Sequence, residues 1–197
     1  MIKHASKHIF KRIFIKPFSQ SAYFFSMDNQ KKDEYGRPYP DYEKYPTPVL
    51  CADAVVIRKN KAADYFEILM CSRGIDPHKG KLVLPGGHVD YNEAPEDACL
   101  RELKEEADLD GHSPELLCVK GFPLRDPRKH TVTAAYLVQV PEDQIPKGGD
   151  DATDAQFYPL KDVIGQEDNI GFDHYEMIQD AIKKLNIKLE TGPGSKL

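Results

Sequence analysis

The positions of apolar and polar residues predict a domain of strands and helices over residues 49–186. Runs or alternations of apolar and β-branched residues predict strands at Val49–Arg58, Tyr65–Cys71, Glu115–Val119, Thr131–Val140 and Ala155–Tyr158, with a shorter apolar segment at Leu82–Leu84. Two segments have helical spacing instead. A helix over Pro95–Ala107 is predicted from its apolar positions Ala98, Cys99, Leu103 and Ala107. A closing helix from Phe172 or Asp173 to Leu185 is predicted from Tyr175, Ile178 and Ile182. This order of elements predicts an α+β fold.

Length, charge and cysteine content narrow the class of protein. A chain of 197 residues fits one domain with terminal extensions, and its net charge of −5 argues against nucleic-acid binding by an extended basic surface. No apolar run is long enough to cross a bilayer, so we expect a soluble protein without a membrane partner. The four cysteines lie apart in apolar segments and are expected to be reduced core residues: Cys51, Cys71, Cys99 and Cys118.

The two ends of the chain carry features of targeting signals. Residues 1–27 contain lysines, an arginine and bulky apolar residues but no acidic residue, which is typical of a mitochondrial presequence and equally of a disordered basic tail. Residues 28–48 are rich in Tyr, Pro and charge and are interpreted as an extended arm. Residues 187–197 are expected to form a flexible tail, and its last three residues, Ser195-Lys196-Leu197, match a peroxisomal address. Mitochondrial, peroxisomal and cytoplasmic locations therefore all stay open.

The polar side of the first predicted helix carries three glutamates, Glu102, Glu105 and Glu106. Like charges three or four residues apart repel each other on a helix, so this face requires a compensating cation. Arg101 can pair with Glu105, which leaves Glu102 and Glu106, one turn apart, as oxygen ligands for Mg²⁺ or Mn²⁺. The alternative interpretation is a solvated acidic helix face.

The spacing of these residues resembles that of the Nudix box, which marks hydrolases of nucleoside diphosphates linked to another moiety. The matching positions are Gly87, Glu93 and Arg101-Glu102-Leu103-x-Glu105-Glu106. The resemblance covers about 45–185 and implies a Nudix-type α/β/α sandwich with a mixed β-sheet. It implies that Arg101 and the three glutamates are catalytic, that the glutamates and the carbonyl of Gly86 bind the metal, and that Gly87 and Glu93 are structural.

Two positions depart from the family pattern. Asp108 stands where the pattern has a glycine with positive φ, a conformation that Asp tolerates better than most residues. Ala94 stands where a Ser or Thr N-cap is usual, so we expect Asn92 or the Glu93 carboxylate to cap the helix instead. Because every charged position of the box is intact, an active metal site is predicted.

Segments outside the box resemble the ADP-ribose pyrophosphatase branch. They are Pro123, Arg125-Asp126-Pro127-Arg128-x-His130, Gly149-Asp150-Asp151-Ala152 and Phe172-Asp173-His174. This resemblance implies metal-dependent hydrolysis of ADP-ribose to AMP and ribose 5-phosphate. The substrate-binding candidates are Arg73, Pro123, Arg125 and Asp126.

Several roles stay open at this stage. Arg73 is interpreted as a phosphate contact or as one side of a surface ion pair. Glu105 or Asp151 is the candidate general base, and a single histidine such as His174 is more often structural than catalytic.

Two further functions compete with ADP-ribose hydrolysis. A Nudix diphosphatase acting on NADH or coenzyme A would suit the Ser195-Lys196-Leu197 end, although Pro77 stands where the coenzyme A enzymes carry a second arginine. A third reading is a non-catalytic ADP-ribose sensor, which in related proteins is fused to a DNA-binding winged helix. Many relatives build their site across a dimer interface, so a homodimer is possible.

Overall fold

A computed structural model of the chain describes residues 47–60, 62–149 and 152–189. The predicted presequence, nearly all of the arm and the last eight residues lie outside these ranges, as does Asp151. The predictions that concern them therefore stay predictions.

In the part of the chain that the structure describes, eight strands form two four-stranded sheets. In chain order they are β1 (Val49–Val55), β2 (Ile57–Asn60), β3 (Tyr65–Arg73), β4 (Leu82–Val83), β5 (Gly86–His88), β6 (His112–Lys120), β7 (Thr131–Gln139) and β8 (Ala152–Pro159). The first sheet has the order β5-β1-β7-β6 and is mixed, because β1 runs parallel to β7 while β5 and β6 are antiparallel to their neighbours. The second sheet is antiparallel, with β2 and β4 on one edge of β3 and β8 on the other.

The strand predicted over Val49–Arg58 is in fact two strands in different sheets. The chain leaves the first sheet after Val55 and enters the second at Ile57, while the carbonyl of Val56 accepts a hydrogen bond from the Leu69 N–H at 3.0 Å. A second correction concerns Gly86 and Gly87, for which the sequence predicts no strand. They belong to β5 and pair with Asp53 and Ala52 of β1, an approach that their lack of side chains permits.

Within the described residues three α-helices accompany the sheets: α1 (Pro95–Ala107), α2 (Leu160–Ile164) and α3 (His174–Lys184), with a short 3₁₀ turn at Glu167–Asn169. The bounds predicted for α1 are confirmed, and Pro95 occupies its first turn as expected. The predicted side-chain cap is wrong. Ala94 is the N-cap residue, and no side chain forms a capping hydrogen bond there. The Glu93 carboxylate instead accepts hydrogen bonds from Arg101 and from the Asp90 N–H.

Helix α1 ends as predicted at a residue in the left-handed conformation. Asp108 has φ 53° and ψ 32°, and its N–H donates to the carbonyl of Lys104. The Lys104 ammonium lies 2.8 Å from the Asp108 carboxylate, so an ion pair accompanies the strained backbone. Helix α2 is not predicted from the sequence, because five residues are too few to show helical spacing.

The two faces of the sheets bury different apolar clusters, which gives the predicted α/β/α sandwich. Along β1, Ala52 and Ala54 pack in the cluster that includes Leu103 of α1, whereas Val55 packs in the cluster that includes Leu160 of α2 and Ile178 of α3. Alternate residues of a strand point to opposite faces, so one strand contributes to both clusters. Within the described ranges no helix has the length and apolar character needed to cross a membrane.

Candidate active site

A cleft of about 390 Å³ opens where β5, the polar side of α1 and the loop between β6 and β7 meet. This volume lies within the range of small-molecule sites. Its lining includes every Nudix-box carboxylate of α1 together with residues from distant parts of the chain: Asp53, Arg73, Gly86, Gly87, Arg101, Glu102, Glu105, Glu106, Arg125, Asp126, Arg128, Phe172 and His174.

Arg101 donates hydrogen bonds to three glutamates beside the cleft. Its Nε and Nη2 donate to the two oxygens of Glu93 at 2.8 and 2.9 Å, and Nη1 donates to Glu102 Oε1 at 2.9 Å and to Glu105 Oε2 at 3.1 Å. Nη2 also donates to the carbonyl of His88. The hydrogen bond from Arg101 lowers the pKa of Glu93, which therefore stays ionised and fixes the arginine. Glu93 thus positions the side chain that in turn holds Glu102 and Glu105.

Glu106 is the most strongly perturbed carboxylate of the cleft. Burial raises its pKa to about 8, the charges of Glu102 and Asp53 act in the same direction, and the Gly86 N–H, which donates to Oε2 at 3.1 Å, opposes them. Burial also raises the pKa of Glu102. Gly87 lies against this carboxylate, since an added Cβ would stand 2.5 Å from Glu102 Cδ. The site thus keeps acidic groups partly out of water, with Arg101 bonded to Glu102 and the charge of Arg73 also acting to lower the pKa of Glu106.

The donor chemistry of these residues fits a hard divalent ion. Glu102, Glu105 and Glu106 offer carboxylate oxygens. A bound cation would stabilise the ionised form of Glu106, which burial disfavours. The carboxylates are not gathered around one point, because Arg101 holds Glu102 and Glu105 while the Gly86 N–H holds Glu106. Accordingly, no set of three His, Cys, Asp or Glu side chains in the described ranges is close enough to enclose a metal ion.

Sequence reasoning did not identify Asp53 as a residue of the cleft lining, and it interpreted His174, which also lines the cleft, as structural. Asp53 is buried in β1, and its Oδ2 accepts a hydrogen bond of 2.6 Å from the hydroxyl of buried Thr133. A charged residue inside an apolar strand was the available signal. His174 is also buried, and its Nδ1 accepts a hydrogen bond from the Leu84 N–H at 2.9 Å, in agreement with a structural role. Burial lowers the pKa of His174, which keeps the ring neutral.

Three of the four predicted substrate-binding residues line the cleft, and the fourth does not. Arg73 lines the cleft, and its Nε donates to the carbonyl of Pro77 at 2.6 Å. Arg125 and Asp126 line the cleft too, but each forms an ion pair with another residue. Pro123 does not line the cleft; it is exposed in a turn. The resemblance identified a loop that reaches the cleft, but not which residues of that loop line it.

The family model described as "NUDIX domain" matches residues 48–181, two thirds of the chain. The chain belongs to the Nudix family. The ADP-ribose pyrophosphatase of Methanocaldococcus jannaschii is 33% identical over 162 residues, which are 82% of this chain and 89% of the relative. This Nudix chain is therefore a hydrolase by family and by relative, and the resemblance inferred from its box is confirmed.

Two further similarities concern proteins named for ADP-ribose or for repression. The Nudix chain is 27% identical over 151 residues to the ADPR responsive transcriptional repressor NtrR of Acinetobacter baylyi, covering 75% of this chain and 59% of that protein. The crystallised NUDIX domain of Shewanella oneidensis NrtR, complexed with ADP ribose, is 28% identical, with a TM-score of 0.66 and coverage of 75% and 94%. The fold predicted for this Nudix chain is thereby confirmed.

Proposed function

We propose that the chain hydrolyses the diphosphate bond of ADP-ribose to AMP and ribose 5-phosphate with a divalent metal ion. The observation that carries the proposal is the intact, partly buried carboxylate set of α1 facing the cleft, in a chain whose relative of 33% identity is named an ADP-ribose pyrophosphatase. Nudix hydrolases generally use divalent metals; we propose Mg²⁺, with Mn²⁺ as the alternative of similar oxygen preference.

The residues of α1 would share the work of the reaction. Glu102, Glu105 and Glu106, with the Gly86 carbonyl, would hold the ion, and Arg101 would keep Glu102 and Glu105 in place. The bound ion supplies charge neutralisation on the diphosphate and activation of a water molecule. Of the three glutamates, we propose Glu105 as general base, because its side chain is 46% exposed and can reach a proton in the open cleft. Asp151 is the competing candidate.

The test is product formation by the full-length chain with Mg²⁺, measured as kcat/KM for ADP-ribose, NADH, coenzyme A and nucleoside triphosphates. We expect ADP-ribose to give the highest value and EDTA to abolish turnover. A higher value for NADH or coenzyme A would replace the substrate while keeping the chemistry. Glu105→Gln should reduce kcat by about 100-fold or more even at saturating Mg²⁺ if Glu105 is the base, whereas a change below about tenfold would favour Asp151.

A second candidate is binding of ADP-ribose without hydrolysis, favoured by the similarity to the ADPR responsive repressor. Tight binding of ADP-ribose by calorimetry, combined with no AMP release in Mg²⁺ or Mn²⁺, would establish it. AMP release at a rate that depends on Glu106 would exclude it.

A further inference from the structure

Two arginines of the loop between β6 and β7 line the cleft, and each is held by an aspartate. The guanidinium group of Arg125 pairs with Asp173 just before α3, and its side chain is only 5% exposed. Arg128 pairs with Asp126 of its own loop, and its side chain is 43% exposed. Arg125 thus ties the loop to the segment that leads into α3, whereas Arg128 is the accessible cation.

Both carboxylate oxygens of Asp126 accept hydrogen bonds from Arg128. Its Oδ1 accepts from the Arg128 backbone N–H at 2.9 Å and from Nε at 3.0 Å, and Oδ2 accepts from Nη2 at 2.8 Å. Asp126 is buried, and these hydrogen bonds lower its pKa to about 2, so it is ionised at neutral pH. One carboxylate therefore fixes both the backbone and the side edge of this arginine.

The opposite edge of the Arg128 guanidinium group is available to a ligand. Within the described ranges Nη1 makes no hydrogen bond and Nη2 makes only the one to Asp126. The guanidinium carbon lies 5.8 Å from the ring centroid of Phe172, an aromatic residue that also lines the cleft. A ring and a carboxylate thus restrict the side chain, which reduces the conformational entropy lost when it binds an anion.

We propose that Arg128 binds an anionic phosphate oxygen of the substrate through its Nη1–Nη2 edge, with Asp126 as its positioning residue. The inference rests on the proposed function and names the group that recognises the diphosphate. A guanidinium edge offers two parallel donors to a phosphate, which a lysine cannot reproduce. Asp126, predicted from sequence to touch the substrate, acts instead through Arg128.

The test compares Arg128→Met with Lys129→Met in the full-length chain. Lys129 is the exposed neighbour, carries the same charge and does not line the cleft, so the pair separates direct contact from general attraction. Binding is measured by calorimetry in EDTA, which prevents turnover, for ADP-ribose and for adenosine, which has no phosphate. We expect Arg128→Met to weaken ADP-ribose binding by about tenfold to 100-fold. Adenosine binding should not change, and Lys129→Met should alter either Kd by less than about twofold.

The positioning role of Asp126 is tested by a double-mutant cycle. Asp126→Asn alone should weaken ADP-ribose binding and raise KM more than it lowers kcat, while Asp126→Asn combined with Arg128→Met should bind no more weakly than Arg128→Met. Additive losses would overturn the positioning role. Equal losses in Arg128→Met and Lys129→Met, or an equal loss for adenosine, would overturn the phosphate contact.

The outcome is distinguishable from failure of the proposed function. If the wild-type chain binds ADP-ribose but releases no AMP, hydrolysis is excluded while the comparison of Arg128 with Lys129 still decides this inference. If the wild-type chain releases AMP with Mg²⁺ but binds no ADP-ribose in EDTA, the proposed function stands and this inference falls; if it does neither, both fall. Urea midpoints within error of the wild type show that each variant is folded.

Discussion

Substitution of Gly87 by alanine should separate catalysis from stability. The new Cβ would stand 2.5 Å from Cδ of Glu102, so the carboxylate must move by about 1 Å to reach an ordinary contact of 3.4 Å. A displacement of that size in a catalytic group costs about 100-fold in rate. Glu102 can move by rotating its side chain, so β5 need not shift.

The expected change in stability is small because two contributions oppose each other. Moving Glu102 loses its contact with Arg101, which for a partly exposed ion pair is worth about 0–1 kcal/mol. Replacing glycine by alanine inside a strand raises the free energy of unfolding by about 0.5–1 kcal/mol. We therefore expect Gly87→Ala to lower kcat by about 100-fold and to change the free energy of unfolding by less than about 1 kcal/mol.

The neighbouring glycine provides the matched control. A Cβ on Gly86 would meet backbone atoms of β1, 2.5 Å from the Ala52 carbonyl oxygen and 2.8 Å from the Asp53 Cα. Backbone cannot rotate away, so Gly86→Ala should lower the free energy of unfolding by about 1–3 kcal/mol. Initial rates with ADP-ribose at saturating Mg²⁺ and urea unfolding measure both effects. Wild-type kcat in folded Gly87→Ala would refute the placement of Glu102 at the reacting centre.

Three other substitutions test single contacts. Glu106→Gln should lower kcat by more than about 100-fold, because an amide binds a divalent ion poorly; unchanged turnover in Mg²⁺ would remove Glu106 from the metal site. Thr133→Val leaves Asp53 Oδ2 buried without its donor and should cost about 1–3 kcal/mol in urea unfolding, whereas a loss below about 0.5 kcal/mol would mean that another group replaces the hydroxyl. The pKa of His174 in the folded chain lies below its ordinary value of 6.5, so the unfolded chain binds the proton first as pH falls. The stability that is present above pH 6.5 should therefore be lost on acidification, by up to about 1.4 kcal/mol per pH unit. His174→Asn, which can still accept from the Leu84 N–H, should lack this slope between pH 7 and 5; an unchanged slope would assign it to other groups.

Features with local causes were predicted correctly from the sequence. The bounds of α1 follow from Pro95, from apolar spacing and from the left-handed position of Asp108, all of which lie within one segment. The change of sheet at Val56 was missed because Val55, Val56 and Ile57 form one apolar run, and only pairing with the distant strands β3 and β7 separates them.

The same limit applies to the site. The carboxylates of α1 and the pairing of Arg101 with Glu105 were evident from helical spacing. The presence of Asp53 and His174 in the cleft depends on contacts between segments far apart in the chain, which a single sequence does not reveal. On the loop between β6 and β7, charge alone did not distinguish Arg125, whose partner is distant, from Arg128, whose partner is two residues away.

The left-handed end of α1 bears on which substitutions evolution can accept at that position. Asp108 costs about 1–2 kcal/mol in backbone strain compared with glycine. A glycine would cost about 0.4–1 kcal/mol through its freer unfolded chain. It would also lose the exposed ion pair with Lys104. The two backbone terms oppose each other, so exchange between Asp and Gly here should have a small effect on stability. A sequence pattern that demands glycine at this position would therefore overlook a Nudix chain that, like this one, ends the helix with Asp.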